Sequence, residues 1–272
     1  MSNIRPPAVA GTFYPGNPAK LAADIDAMLE DSLRRNPPGA DEPPPKALIV
    51  PHAGYIYSGP VAAGAYLRLR RDKGTITRVV LLGPVHRVPV RGLALPAAAA
   101  FETPLGIVPV DAGAATLLAG LPQVRVSAEA HAWEHSLEVQ LPFLQSVLGP
   151  FTLIPLAVGD ATSGEVAQVL ERLWGGPETL IVISSDLSHY LPYDTARRID
   201  HETVQELLNL EILASHEQAC GATPVNGVIA AARRRGLVPK FIDLRNSGDT
   251  AGDKGRVVGY ASIAFYEEAV HA

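Results

Sequence analysis

The stretch Ala47-Leu48-Ile49-Val50-Pro51-His52-Ala53-Gly54-Tyr55 reads as a buried strand that stops at a proline and delivers a histidine. Four apolar residues in a row, without alternation, suit a strand covered on both faces, as in a parallel sheet. The pattern returns twice. Val79-Val80-Leu81-Leu82 runs into Gly83-Pro84-Val85-His86-Arg87, and Leu180-Ile181-Val182-Ile183 runs into Ser184-Ser185-Asp186-Leu187-Ser188-His189-Tyr190. In open parallel sheets, ligands bind beyond the carboxyl ends of the strands, where the loops converge. His52, His86, His189 and Asp186 are therefore expected to meet at one rim.

Outward from these strands, apolar runs alternate with helical patterns. Asn17-Pro18 is an N-cap and N1 pair, opening a helix with Leu21, Ile25, Met28, Leu29 and Leu33 on one face. The Pro-rich segment 36–45 reads as an exposed connector. Strands are expected at 47–50, 78–82, 151–158, 180–184, 241–244 and 257–265, with a short β excursion at 93–110. Helices are expected at 60–70, 163–173, 194–214 and 223–235, and at 131–148, where Pro142 ends or kinks the helix. Asn246 to Gly255 reads as a long loop, either a lid over the site or a plain connector. The alternation predicts one α/β domain over residues 1–272, with a mainly parallel or mixed central sheet between two helical layers.

Composition narrows the function classes. A chain of 272 residues, 47% hydrophobic and 19% charged, can bury a large core and is not a disordered chain. The net charge of −5, with scattered Lys and Arg, gives no footprint for a nucleic-acid backbone, so small molecules or proteins are the expected partners. No stretch approaches the roughly 20 apolar residues of a membrane span, and residues 1–10 lack the apolar centre of a secretory signal. Cys220 is the single cysteine, which rules out an internal disulfide. A reducing, cytoplasmic location is the expectation.

Histidine and carboxylate at one site suit zinc, or non-haem iron with open positions. Cys220 lies in Ala219-Cys220-Gly221-Ala222-Thr223-Pro224, where Thr223 reads as an N-cap and Pro224 as N1. A thiol beside a helix N-terminus is expected to have a lowered pKa and to bind metal as thiolate. The cluster His131-Ala132-Trp133-Glu134-His135-Ser136-Leu137-Glu138 allows three readings. It matches the H-x-x-E-H pattern of inverted zinc proteases, with Glu202 or Glu211 as a third ligand. It also suits an ordinary helix start packing Leu137, Leu141 and Leu144 inward. Between these lies a third reading, in which Glu134, His135 and Glu138 surround a metal centre and orient its ligands. Tyr14, Tyr55 and Tyr57 either line a pocket or simply pack.

Taken together, Pro7 to Pro15, Pro51 to Tyr55, Gly83 to His86, Glu134 to Glu138, Ser184 to His189, Cys220-Gly221 and Asn246 to Asp249 resemble the Memo family, in the family's order along the chain. The resemblance implies a fold similar to class III extradiol dioxygenases. It implies His52 and His86 as metal ligands, with Cys220 where the dioxygenases place a carboxylate. Asp186 and His189 would border the same pocket, His189 at the position of the dioxygenases' acid/base histidine. Fe(II) is the first expectation for the metal, with copper or zinc as alternatives. A functional link to a radical-SAM protein is implied as well. The chain departs from the family at Val85, where a Ser is common, and at Arg87, where a His is common; His131 falls outside the pattern. The leading expectation is a metal-dependent, oxygenase-like redox enzyme of unspecified substrate. The competing one is a non-catalytic metal-binding or interaction module on the same scaffold.

Overall fold

The computed structural model describes residues 3–268. Its strands are β1 (Ile4–Arg5), β2 (Ala47–Val50), β3 (Arg78–Pro84), β4 (Leu93–Leu95), β5 (Ala100–Thr103), β6 (Gly106–Pro109), β7 (Val124–Val126), β8 (Thr152–Val158), β9 (Thr179–Ser184), β10 (His189–Leu191), β11 (Val238–Asn246) and β12 (Val257–Tyr266). Nine of them form one mixed sheet, ordered β10-β12-β2-β9-β3-β8-β4-β7, with β11 also on β12; β1, β5 and β6 form a small separate sheet. The centre of the large sheet, β2-β9-β3-β8, is wholly parallel, whereas β12 joins β2, and β4 joins β8, antiparallel. The parallel centre places the carboxyl ends of β2, β3 and β9 on one rim.

Side-chain alternation along the strands separates two cores. Leu48, Val50, Val79, Leu81, Leu180 and Val182 face one way, onto the helices Pro18–Arg35, Tyr55–Tyr66 and Leu141–Val147. Ala47, Ile49, Val80, Leu82, Ile181 and Ile183 face the other, onto Ser163–Leu173, Tyr193–Leu208 and Ala222–Arg235. A strand apolar at every position thus serves two buried faces, which is why these runs show no polar alternation. Three layers result. Among the described residues, no helix is long and apolar enough to cross a membrane.

Several expected boundaries move. The helix expected at 60–70 begins at Tyr55 and ends in a tighter 3-10 turn, Leu67–Asp72. The one expected at 194–214 stops at Leu208, and Leu210 takes a left-handed φ of 59°. The stretch 131–148 is not one helix. A short helix Ala128–Ala132, a turn and a 3-10 turn Glu138–Gln140 precede Leu141–Val147, which Pro142 starts rather than ends. Thr223 is not the cap of its helix, which starts at Ala222 with Gly221 as N-cap. Within 246–255, Ser247–Thr250 forms a short helix closed by Asn246 and Asp249 capping each other's amides. Strand β10, which carries His189 onto β12, has no clear signal in its sequence because it is three residues long.

Candidate metal centre

His52 follows β2 directly, and its backbone N–H donates to Asp186 Oδ1 at 2.7 Å across the neighbouring strand end. Its ring is buried, with Nδ1 2.9 Å from Ser184 Oγ. The Ser184 hydroxyl donates its proton to the Ser136 carbonyl at 2.6 Å and accepts from Gln140 Nε2 at 2.8 Å. With that proton committed, His52 Nδ1 must be the donor to Ser184, which puts the lone pair on Nε2, where it faces the Cys220 thiol and could bind a cation. Burial, then the neighbouring His135 and His86 rings, push the His52 pKa well down, so the ring is neutral.

His86 follows β3, where Pro84 O accepts from Ser136 Oγ at 2.8 Å. A Cβ on Gly83 would lie 2.8 Å from that same Oγ, so glycine lets the 134–137 turn press against the strand end. Glu134 fixes both sides of the contact. It accepts from His86 N–H at 2.6 Å, meets His86 Nδ1 at 2.8 Å, and takes the amides of His135 and Ser136 at 2.9 Å each. A carboxylate held on Nδ1 orients the ring and presents Nε2 outward, the arrangement that supports metal-binding histidines.

Burial alone would raise the Glu134 pKa. The His86 hydrogen bond and charge, with the amides of Ser136 and His86, outweigh it and hold the carboxyl at about 2. Because the folded value lies below the ordinary 4.5, the ionised carboxylate stabilises the fold above 4.5, and this contribution is lost as pH falls through about 2. In the metal-free protein, the melting temperature should therefore drop across this window, and drop less steeply in Glu134→Gln. Identical pH slopes for the two proteins would contradict the assignment.

His135 joins the other two imidazoles. Ring centroids lie 5.3 Å apart for His52–His86, 5.5 Å for His52–His135 and 4.7 Å for His86–His135, the last pair stacked. One ring nitrogen from each lies within 4.8 Å of the other two, close enough for a shared ion after small ring rotations. Burial also lowers the His135 pKa, favouring the neutral ring that metals need. By sequence His135 reads either as a zinc ligand paired with His131 or as a residue around the ligands, not as a partner of His52 and His86. Its neighbour Glu134 was the available signal, since a carboxylate that pins one histidine also fixes the turn carrying the next.

The remaining candidates fall at different distances. Cys220 Sγ lies 3.4 Å from His52 Nε2, on the edge of the cluster. Its thiol is not depressed, as its place by a helix N-terminus suggested. Burial, and then the Asp186 carboxylate, push it up to about 12. A bound cation would reverse that balance, because coordination deprotonates a thiol. Asp186 Oδ2 sits 4.0 Å from His52 Nε2, and burial raises its pKa despite the His52 amide. His189 donates from Nδ1 to the Leu187 carbonyl at 2.8 Å, which frees Nε2. Together with Phe13, Tyr57, Arg256 and Tyr260, the three clustered histidines, Asp186 and His189 line a cleft of about 600 Å³.

Glu138 lies elsewhere. Fully buried, it pairs with Arg5, accepts the amides of Ala8 and Val9 at 2.7 and 3.0 Å, and takes the Tyr14 hydroxyl at 2.6 Å. Its carboxylate anchors the N-terminal segment and orients no imidazole of the cluster. Tyr14 and Tyr55 are buried and line a separate pocket of about 650 Å³ beside Pro18–Arg35, whereas Tyr57 borders the cleft. His131 is also buried, with Nε2 2.8 Å from the Ala94 carbonyl, and burial brings its pKa to about 4. The helix break after Ala132 separates it from His135, so the inverted-protease pattern is a coincidence of spacing.

A family model described as Memo-like protein matches residues 5–264. Relatives named MEMO1 family proteins include one from Aeropyrum pernix, 38% identical over 96% of this chain and 99% of its own length. Others from Aquifex aeolicus and Sulfolobus acidocaldarius are 37% and 35% identical over the same shares. The match runs through all three strand ends and through the Glu134 turn, and the chain belongs to the Memo family.

Proposed function

We propose that this protein binds one Fe(II) ion through His52, His86 and His135 and acts as an oxygenase-like oxidoreductase on a small organic substrate. The observation that carries the reading is the three-imidazole cluster, with Nδ1 of His52 and of His86 held by protein partners so that each Nε2 is left as the metal-binding atom. The donor chemistry fits, since neutral imidazoles suit iron, copper and zinc alike. Cys220 and Asp186 stand close enough to complete the ligand set. Bound iron would supply Lewis acidity and one-electron chemistry with O2.

The chain's own residues supply the rest. The buried wall formed by His52 and Asp186 keeps water from one side of the site. Phe13, Tyr57 and Tyr260 offer an apolar, partly aromatic seat for substrate. His189 accepts a substrate hydroxyl proton on Nε2, its ring held in place by the Leu187 carbonyl. Anaerobic loading with Fe(II), followed by O2 uptake with a panel of diphenols, tests the proposal. His189→Ala should keep the iron and lose turnover by roughly 10²–10⁴-fold. Iron bound without O2 uptake for any diphenol would retire the oxygenase reading.

Cys220 favours a second reading. A soft thiol 3.4 Å from His52 Nε2 suits copper, and a non-catalytic metal carrier needs no proton-transfer group. On that reading, Cys220→Ala abolishes the cellular role and His189→Ala preserves it. A cytoplasmic location, from the single cysteine, and a link to a radical-SAM protein, from the family resemblance, belong to the proposal as well.

A further inference from the structure

A second cavity, of about 880 Å³, opens on the other side of the site. It shares His86, His189 and Tyr190 with the aromatic cleft, but Cys220 lines only this side of the pair, and His52, His135 and Asp186 line only the other. Its charge is one-sided. Glu202, Glu206 and Glu217 lie in its walls together with His216, and no Lys or Arg does. Ile199, Glu202, Thr203 and Glu206 recur at helical spacing on Tyr193–Leu208, so one stripe of that helix faces the cavity.

The carboxylates are only lightly engaged within the fold. Glu206 accepts from Gln218 at 2.7 Å, and Glu202 meets Arg198 on the solvent side at 3.2 Å. A separate observation also points to an occupant. Thr203 is fully buried in the same wall, and its Oγ1 has no hydrogen-bond partner among the described residues. An orphaned buried hydroxyl costs free energy unless a ligand or a hydrated ion supplies its partner. The aromatic cleft has a different character, with Arg256 lying over the Tyr190 ring at 5.2 Å.

We propose that the site has two ports, and that the cavity walled by Glu202, Glu206, Glu217 and Cys220 is the one through which the metal cation arrives. This rests on the metal-binding reading above. Acidic walls concentrate a hydrated divalent ion, the glutamates exchange for its outer waters, and Cys220 meets it first, 3.4 Å from His52 Nε2. The aromatic cleft stays clear for organic substrate. Tyr190, with its left-handed φ of 59°, stands between the two.

Stopped-flow uptake of Co(II) by the metal-free protein, followed by its visible absorption, tests the assignment. In Glu202→Gln/Glu206→Gln/Glu217→Gln the uptake rate at low salt should fall roughly tenfold or more, while one ion per chain still binds at equilibrium. The difference should close at about 1 M salt, where charges act over only a few ångströms. Glu217 is exposed, so Glu217→Lys provides a single change that spares the core, and its rate should also fall. An unchanged rate in both variants would overturn the port, as would a larger slowing from Asp253→Asn in the opposite cleft. Wild-type protein that binds no Co(II) would sink the metal reading itself, a result distinct from an unaltered rate.

Discussion

Glu138→Ala should destabilise the protein by about 3–5 kcal/mol, because it leaves the Arg5 guanidinium buried without its counter-charge. The pair is almost wholly shielded, with side-chain exposures of 6% for Arg5 and 0% for Glu138. The same substitution strips the amides of Ala8 and Val9 and the Tyr14 hydroxyl of their acceptor. Arg5 retains the carbonyls of His131 and Glu134, at 2.8 and 2.7 Å, but these carry no full charge. Urea unfolding should show a lower midpoint with an unchanged slope, and the folded fraction should still take up one metal ion per chain. A loss below about 1 kcal/mol would place Glu138 among ordinary surface pairs, against its burial.

Glu134→Ala should have the opposite profile, with a moderate loss of stability and a metal affinity lower by roughly 10–100-fold. Its carboxylate holds the His86 ring through Nδ1 and the His135 backbone through its amide, so its removal frees two of the three rings at once. Glu134→Gln should recover part of the affinity, because the amide oxygen can still accept from His86 Nδ1. Titration calorimetry of the metal-free variants separates these cases. Wild-type affinity in Glu134→Ala would mean that the His86 ring needs no support.

The fold was readable in the sequence where its physics is local. Apolar runs without alternation at 47–50, 79–82 and 180–183 announce strands with two buried faces, and proline, glycine or serine marks where each stops. The rim shared by His52 and His86 follows from that topology. What escaped depends on contacts between distant parts of the chain. By sequence Glu138 reads, with Glu134 and His135, as a companion of the metal centre. Its partner, Arg5, is 133 residues away and draws it to the N-terminal segment. A single helix over 131–148 would pair His135 with His131 rather than with His52 and His86. The break at 133–137 is held by Glu134 and by Ser136 against β3, and it turns His135 toward the cluster. For Cys220, the sequence locates a helix N-terminus but neither the burial of the thiol nor the Asp186 carboxylate beside it, and these, burial first, raise its pKa.

The most direct measurement is an anomalous difference map from crystals of the protein loaded anaerobically with Fe(II). The account predicts one peak at roughly 2.0–2.2 Å from Nε2 of His52, Nε2 of His86 and a ring nitrogen of His135. A peak at another group of side chains, or a fully loaded crystal in which the rings of His52 and His86 bind no common ion, would contradict it.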